Sequence, residues 1–189
     1  MNVYDFDETI YDGESSIEFI LDYIRVDPKV IKFVPSIIRI MFLYERGKIT
    51  FDDFSEKYAH KLTDYFAANN VTVEHLMQGF WDKRMHKIKP FYLAQKKADD
   101  VILTASPTFM MREVCDRLGV KNLVATDFDL ETGKVKNACF RENKIRCFFD
   151  AFPDGEIDAF YTDSVNDSFL FPLAKEAYMV KKNKIIRVK

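Results

Sequence analysis

Three short apolar stretches, residues 3–6, 101–103 and 157–161, each run into a segment of helical character, and this alternation commits the chain to a parallel sheet flanked by helices. Between the first and second stretch, residues 15–89 show helical periodicity and almost no strand signal. A helical unit is therefore inserted between two sheet strands. A chain of 189 residues can hold one sizeable core plus such a small inserted unit. The expected fold class is α/β, a Rossmann-like parallel sheet with a helical lid. The expected division is residues 1–14 and 92–189 for the core and 15–91 for the lid.

Within the insertion the sequence predicts a first helix over 16–24, broken near Asp27-Pro28, and a second over 29–45, with Pro35 near its start and Gly47 as its stop. Thr50 and Asp53 stand at capping-box spacing ahead of a third helix reaching about Tyr65. A fourth opens after Thr72 and carries Leu76, Phe80 and Met85 on related faces. Beyond the second strand, Pro107 suits a first helical turn, and a helix over 108–118 ends at Gly119. A strand over 122–125, a hairpin over 127–140 turning at Thr132-Gly133, a helix over 144–149 and strands over 177–180 and 184–188 complete the chain. The basic residues Lys181, Lys182, Lys184, Arg187 and Lys189 read as the solvated flank of an edge strand protected by its lysines.

A net charge of -2 predicts no general affinity for nucleic acid. Cys115, Cys139 and Cys147 form no C-x-x-C pair and leave one unpaired, so neither a disulfide framework nor a zinc knuckle is expected. No basic leader followed by an apolar stretch precedes the first strand, and with the unpaired cysteines this points to the cytoplasm. His60, His75 and His86 lack close metal-ligand spacing, which leaves hard oxygen donors as the way to hold a metal.

Those oxygen donors lie at strand ends. The first strand leads into Asp5-Phe6-Asp7-Glu8-Thr9, a carboxylate pair that repels itself unless a divalent cation or a retained proton relieves it. The second leads into Thr104-Ala105-Ser106-Pro107, where a hydroxyl and the Ala105 amide can receive phosphate oxygens, or where Thr104 or Ser106 can simply cap a helix. Lys144 opens the helix after the hairpin and would offset the repulsion between acidic groups and a dianionic phosphate. The third strand leads into Asp163-Ser164-Val165-Asn166-Asp167, two acids four apart at the start of a helix, spaced to serve one cation and its waters. Each element alone has a structural explanation. Their joint order, acid pair, hydroxyl, lysine, acid pair, describes a phosphoryl-transfer site.

In that order the chain resembles the haloacid dehalogenase (HAD) superfamily of phosphatases, subfamily IB, the branch similar to phosphoserine phosphatase. The likeness spans nearly the whole chain. The family's D-x-D-x-T motif matches Asp5, Asp7 and Thr9, its last motif matches residues 163–167, and its shorter second and third motifs match Thr104 and Lys144. The inserted helices look like the family's C1-type cap. The resemblance implies that Asp5 attacks phosphorus and becomes an aspartyl phosphate. Asp7 would protonate the leaving alcohol and then deprotonate water. Thr104 and Lys144 would hold the phosphoryl oxygens, with Ala105 and Asn166 assisting in substrate binding. Mg2+ would be held by the side chains of Asp5 and Asp163 and the backbone carbonyl of Asp7, with Asp167 in support.

Glu14 falls where phosphoserine phosphatases carry a Glu that meets the substrate amine. The cap arginine those enzymes use for the substrate carboxylate has no counterpart in residues 51–58, where Lys57 is the cation available. The expected activity is thus Mg2+-dependent hydrolysis of a small phosphorylated metabolite, phosphoserine among the candidates. Residues 30–44, apolar but for Lys32, Ser36 and Arg39, raise a lipid phosphate or a membrane surface as an alternative, with packing inside the lid the favoured use. A non-catalytic phospholigand-binding protein and transfer to an acceptor other than water are the remaining alternatives.

Overall fold

The computed structural model describes residues 1–33, 35, 39, 73–129 and 135–189. Among them seven strands form one sheet: β1 (Asn2–Tyr4), β2 (Val101–Pro107), β3 (Asn122–Phe128), β4 (Val135–Asn137), β5 (Ile157–Thr162), β6 (Ala174–Lys181) and β7 (Lys184–Arg187), in the spatial order β4-β3-β2-β1-β5-β6-β7. Strands β3, β2, β1, β5 and β6 run parallel, and the edge strands β4 and β7 are antiparallel to their neighbours. The fold is α/β with a mostly parallel sheet.

The order of strands reverses at β1, which has β2 on one side and β5 on the other. The carboxyl end of such a strand opens into a crevice, because the chain leaves its two neighbours in opposite directions. The three apolar stretches of the sequence are therefore the three central strands, and the polar residues after them share one edge.

Alternation along β1 sends Val3 to one face and Tyr4 to the other. Tyr4, Phe6, Trp81, Met111 and Val114 belong to one buried cluster, and Val3, Val101, Leu103, Phe148 and Phe160 to a second. Tyr4, Tyr161 and Tyr178 are register partners across β1, β5 and β6, and their rings stack at 4.6 and 4.7 Å, a cross-strand ladder that fixes the pairing.

Five α-helices are described: α1 (Ser15–Val26), α2 (Val73–Asp82), α3 (Pro90–Gln95), α4 (Thr108–Leu118) and α5 (Asn143–Ala151). The chain leaves the core and re-enters it side by side. Tyr11 bridges Ile88, the Asp12 N–H donates to the Lys87 carbonyl at 2.9 Å, and the Lys89 N–H donates to the Ile10 carbonyl at 2.7 Å. Trp81 on α2 is fully buried and its indole N–H donates to the Met110 carbonyl at 2.8 Å, which ties the returning segment to α4.

The break expected at Asp27-Pro28 is present, and residues 28–33 continue as a 3-10 helix. The expected helices over 29–45 and 50–65 lie mostly or wholly outside the described residues. So do Ser36 of the polar stripe, the stretch 51–58 and the turn at Thr132-Gly133. Three expectations differ from the structure. Met85 does not share the helix of Leu76 and Phe80: α2 ends at Asp82 and Met85 opens a 3-10 turn, Met85–Lys87. Pro107 is not in the helix but ends β2, extended at φ -64° and ψ 140°, with α4 beginning at Thr108. The segment after Asp163 forms a 3-10 helix, Val165–Leu173, in which Pro172 lacks the N–H that regular α-helical pairing requires. No described helix is long and apolar enough to cross a membrane.

Candidate active site

The loop after β1 starts with Asp5, whose N–H still pairs with the Tyr161 carbonyl of β5 at 2.9 Å, so its backbone is held by the sheet. Its carboxylate meets Lys144. The Lys144 ammonium donates to Asp5 Oδ1 at 2.9 Å and to Asp167 Oδ2 at 2.7 Å, and all three side chains are buried. Asp167 Oδ2 also accepts the Thr162 hydroxyl at 3.0 Å. Lys144 enters from the first turn of α5, and Asp167 from the 3-10 helix after β5.

Burial pushes the Asp5 carboxyl up to about 7. Lys144 opposes that shift, while Asp167 and Asp163 add to it. Burial by itself would pull the Lys144 ammonium down, but Asp5 and Asp167 outweigh it and the group is held above its ordinary value. One ammonium is thus shared by two buried carboxylates, and Asp5 is left short of positive charge.

Asp7 points elsewhere. Its Oδ2 accepts the Ser106 hydroxyl at 2.7 Å and its Oδ1 accepts the Ser15 N–H at 2.7 Å, from the first residue of α1. Burial raises the Asp7 carboxyl, and the Ser15 and Ser106 bonds moderate the rise. Ser106 therefore serves Asp7 rather than capping α4, whose N-cap, Pro107, has no side-chain bond. In the sequence Ser106 reads only as a cap, and its signal is its place in the polar run that closes β2. Thr162, which fixes Asp167, carries no separate sequence signal.

Thr104 is buried, and its Oγ1 accepts the Ser106 N–H at 3.1 Å, so the hydroxyl proton is left to point to another acceptor. The register of β2 against β3 shifts between Leu103 and Pro107. Thr104, Ala105 and Ser106 lie within that irregularity, the kind of local break that re-aims side chains beside a functional edge. Ala105 is exposed there, with its carbonyl accepting the Thr126 hydroxyl at 2.7 Å.

Asp163 and Thr9 are joined twice: the Thr9 hydroxyl accepts the Asp163 N–H at 2.8 Å and donates to Asp163 Oδ1 at 3.3 Å. Burial raises the Asp163 carboxyl above its usual range. Asn166 is exposed, and its N–H donates to the Ser164 hydroxyl at 3.1 Å. Glu14 is exposed as the N-cap of α1, yet its carboxyl is raised by partial burial and then by Asp7, Asp163 and Glu8, which marks it as facing the same acidic edge. A separate hollow of about 490 Å³ between α1 and the 83–87 turn holds none of these side chains. Its acids Glu18 and Asp22 are already paired with Arg84 and Lys87.

Among the described residues no three His, Cys, Asp or Glu side chains form a cage able to hold a metal by themselves. Mg2+ does not need one, since it takes one or two carboxylates, keeps waters and shares the substrate's oxygens. The donors fit that pattern. Asp5 could offer a carboxylate oxygen: burial is the main cause of its raised value, with the Asp167 and Asp163 carboxylates adding to it, and a cation would relieve both. The Asp7 carboxylate is committed to Ser106 and Ser15, which leaves the carbonyl of that residue for a cation, and Asp167 is engaged by Lys144 and Thr162.

The model of the haloacid dehalogenase-like hydrolase family matches residues 3–170. The chain belongs to this family. Among solved structures, this HAD-like hydrolase is similar to a protein of unknown function from Bordetella pertussis Tohama I, at a TM-score of 0.61 and 19% identity, over 94% of this chain and 87% of that one. A phosphoserine phosphohydrolase-like protein from Francisella tularensis subsp. tularensis SCHU S4 matches at 0.55 and 21%, over 94% and 86%. A HAD family hydrolase from Salmonella enterica subsp. enterica serovar Typhi matches at 0.56 and 14%, over 91% and 59%. At these identities the likeness is one of fold. No curated protein matches the chain.

Proposed function

We propose that this HAD-like hydrolase is a phosphatase that cleaves a small phosphomonoester through an aspartyl phosphate on Asp5, with Mg2+ as its cofactor. The observation that carries the reading is the Lys144 ammonium between Asp5 and Asp167, beside an Asp7 carboxylate fixed separately by Ser106 and Ser15. Two carboxylates two residues apart are thereby given different surroundings and different work.

Asp5 attacks phosphorus with a carboxylate oxygen, and the ester P–O bond breaks as a proton from Asp7 goes to the departing alkoxide. Asp7, now ionised, takes a proton from water. That water's oxygen bonds to phosphorus, the acyl phosphate P–O bond breaks, and Asp5 and inorganic phosphate are released. Lys144, the Thr104 hydroxyl and the Ala105 amide hold the phosphoryl oxygens, with Asn166 at the rim. Asp5, Asp163 and the Asp7 carbonyl would hold Mg2+, supported by Asp167, and the ion would supply charge neutralisation for the phosphoryl group. Glu14, exposed at the start of α1, would meet a cationic group on the substrate, and its raised carboxyl, owed to partial burial and then to Asp7, Asp163 and Glu8, supports an amino-bearing phosphate such as phosphoserine. The likeness in fold to the phosphoserine phosphohydrolase-like protein from Francisella accords with that choice.

The test is a phosphate-release screen over phosphorylated metabolites with Mg2+, comparing the parent with Asp5→Asn. The parent is expected to release phosphate and the variant to lose at least about 10³-fold in kcat, since the nucleophile is gone. Variant activity near the parent's would refute the covalent route. Products formed with competing alcohols distinguish hydrolysis from transfer.

A further inference from the structure

Lys89 is 2% exposed, a state that costs a lysine heavily in lost hydration unless something meets its charge. It stands where the inserted segment returns to the core, directly after Ile88, which bridges Tyr11. Its ammonium donates to the backbone carbonyl of Glu8, the hydrogen-bond acceptor it reaches among the described residues. Glu8, Asp12 and Asp163 oppose from further off the downward pull of burial on its charge. A buried ammonium spent on a main-chain oxygen, when carboxylates are near, calls for an explanation.

The explanation lies in the backbone it grips. Glu8 has φ 53°, a left-handed conformation that costs a residue with a side chain about 1–2 kcal/mol. Its N–H donates to the Gly13 carbonyl at 3.1 Å, and Lys89 holds the carbonyl at the other end. The neighbours on either side are Asp7, whose carboxylate is set by Ser106 and Ser15, and Thr9, which is bonded twice to Asp163. A rotation of the Glu8 peptides would displace the Asp7 carbonyl and the Thr9–Asp163 pair together.

We infer that Lys89 is a positioning residue of the phosphoryl-transfer site: by clamping the Glu8 carbonyl it sets the Asp7 carbonyl and, through Thr9, the Asp163 carboxylate at the separation that Mg2+ requires. This rests on the phosphatase reading for its purpose but not for its test. If Lys89 acted only as a charge near Asp163, it would repel a cation, and its removal would tighten Mg2+ binding. If it acts by position, its removal loosens Mg2+ binding. The two roles have opposite signs.

The experiment is calorimetric titration of the substrate-free full chain with Mg2+, for the parent and for Lys89→Met, at a temperature where circular dichroism shows both folded. The expected result is weaker Mg2+ binding by Lys89→Met, by about 10-fold or more, the effect typical of losing a group that orients a metal ligand. Unchanged or tighter binding overturns the inference. Loss of folding stability by itself would not move the affinity of folded protein. Should the Met variant not fold, Lys89→Leu, which likewise has no donor for the Glu8 carbonyl, takes its place under the same criterion. A parent that binds Mg2+ yet releases phosphate from no substrate would sink the phosphatase reading while leaving this comparison decisive for Lys89.

Discussion

Replacing Lys144 with Met isolates the charge that the site is built around. Met has similar length and no charge, so Lys144→Met keeps the volume while leaving Asp5 and Asp167 buried without the ammonium they share. Removing one partner of a buried ion pair costs about 3–5 kcal/mol, unless the stranded carboxylates take up a proton instead. The choice between those outcomes depends on pH. In the parent, burial already pushes Asp5 up to about 7 against the opposing pull of Lys144, and without that pull the carboxyl titrates higher still. The folded state then holds a proton that the unfolded chain releases near its ordinary value of 3.8. Stability falls as pH rises from that value through the folded one and is level above it. In the parent the fall ends near 7, and in the variant it continues. The variant's deficit is therefore larger at pH 8 than at pH 5.5, by up to about 1.4 kcal/mol, the one unit of pH between the parent's value of about 7 and the assay. Urea unfolding in EDTA at the two pH values measures it. An equal deficit at both, or none at pH 8, would refute the argument that Lys144 compensates Asp5.

Ser106→Ala removes one of two charge-assisted bonds to Asp7, worth about 1.5–3 kcal/mol, so kcat should fall by roughly 10-fold or more with substrate KM unchanged. Steady-state kinetics on the best substrate of the screen decides, and parental kcat would show that Ser15 alone suffices to hold Asp7. Gly119→Ala tests the end of α4. Gly119 has φ +70° and open space around an added Cβ, so the cost is purely conformational, about 1 kcal/mol, or a Tm lower by about 2–4 °C. An unchanged thermal melt would contradict that assignment of the C-cap.

The strands nearest the chemistry are legible because β1 and β2 are largely buried on both faces and open as apolar runs cut off by polar residues, and β5 follows the same pattern apart from exposed Asp158. The same property makes their ends conspicuous. What the sequence hides is set by contacts between distant segments. The continuation of β2 through Pro107 follows from its pairing with Thr126 on β3 and from an irregularity in that ladder, neither of which has a local signal. Thr104 and Ser106 look equivalent as hydroxyls near a helix start, and only the approach of Asp7 and α1 separates their uses. Lys89 is the extreme case. It sits near Lys83 and Lys87 in a run whose charges all suggest solvent, yet it alone of the three is buried, because the two connectors of the inserted segment close over it.

Asp167 shows why the acidic edge needs more carboxylates than the chemistry consumes. A single Asp5–Lys144 pair, dry and isolated, would neutralise the group that attacks phosphorus in the proposed mechanism. The Asp167 carboxylate, itself anchored by Thr162, draws the ammonium into a second bond of 2.7 Å, shorter than its 2.9 Å bond to Asp5 Oδ1. On the proposed mechanism Lys144 is thereby held by a partner that takes no part in bond making, and its bond to Asp5 falls on one oxygen, Oδ1. The same geometry keeps Lys144 stationary when an incoming phosphoryl group competes for its protons, since the bond to Asp167 anchors it to the far side of the site. A dianion can then be met by a fixed donor with no reorganisation of the side chain, which is the condition under which an electrostatic contact favours a transition state over bulk water.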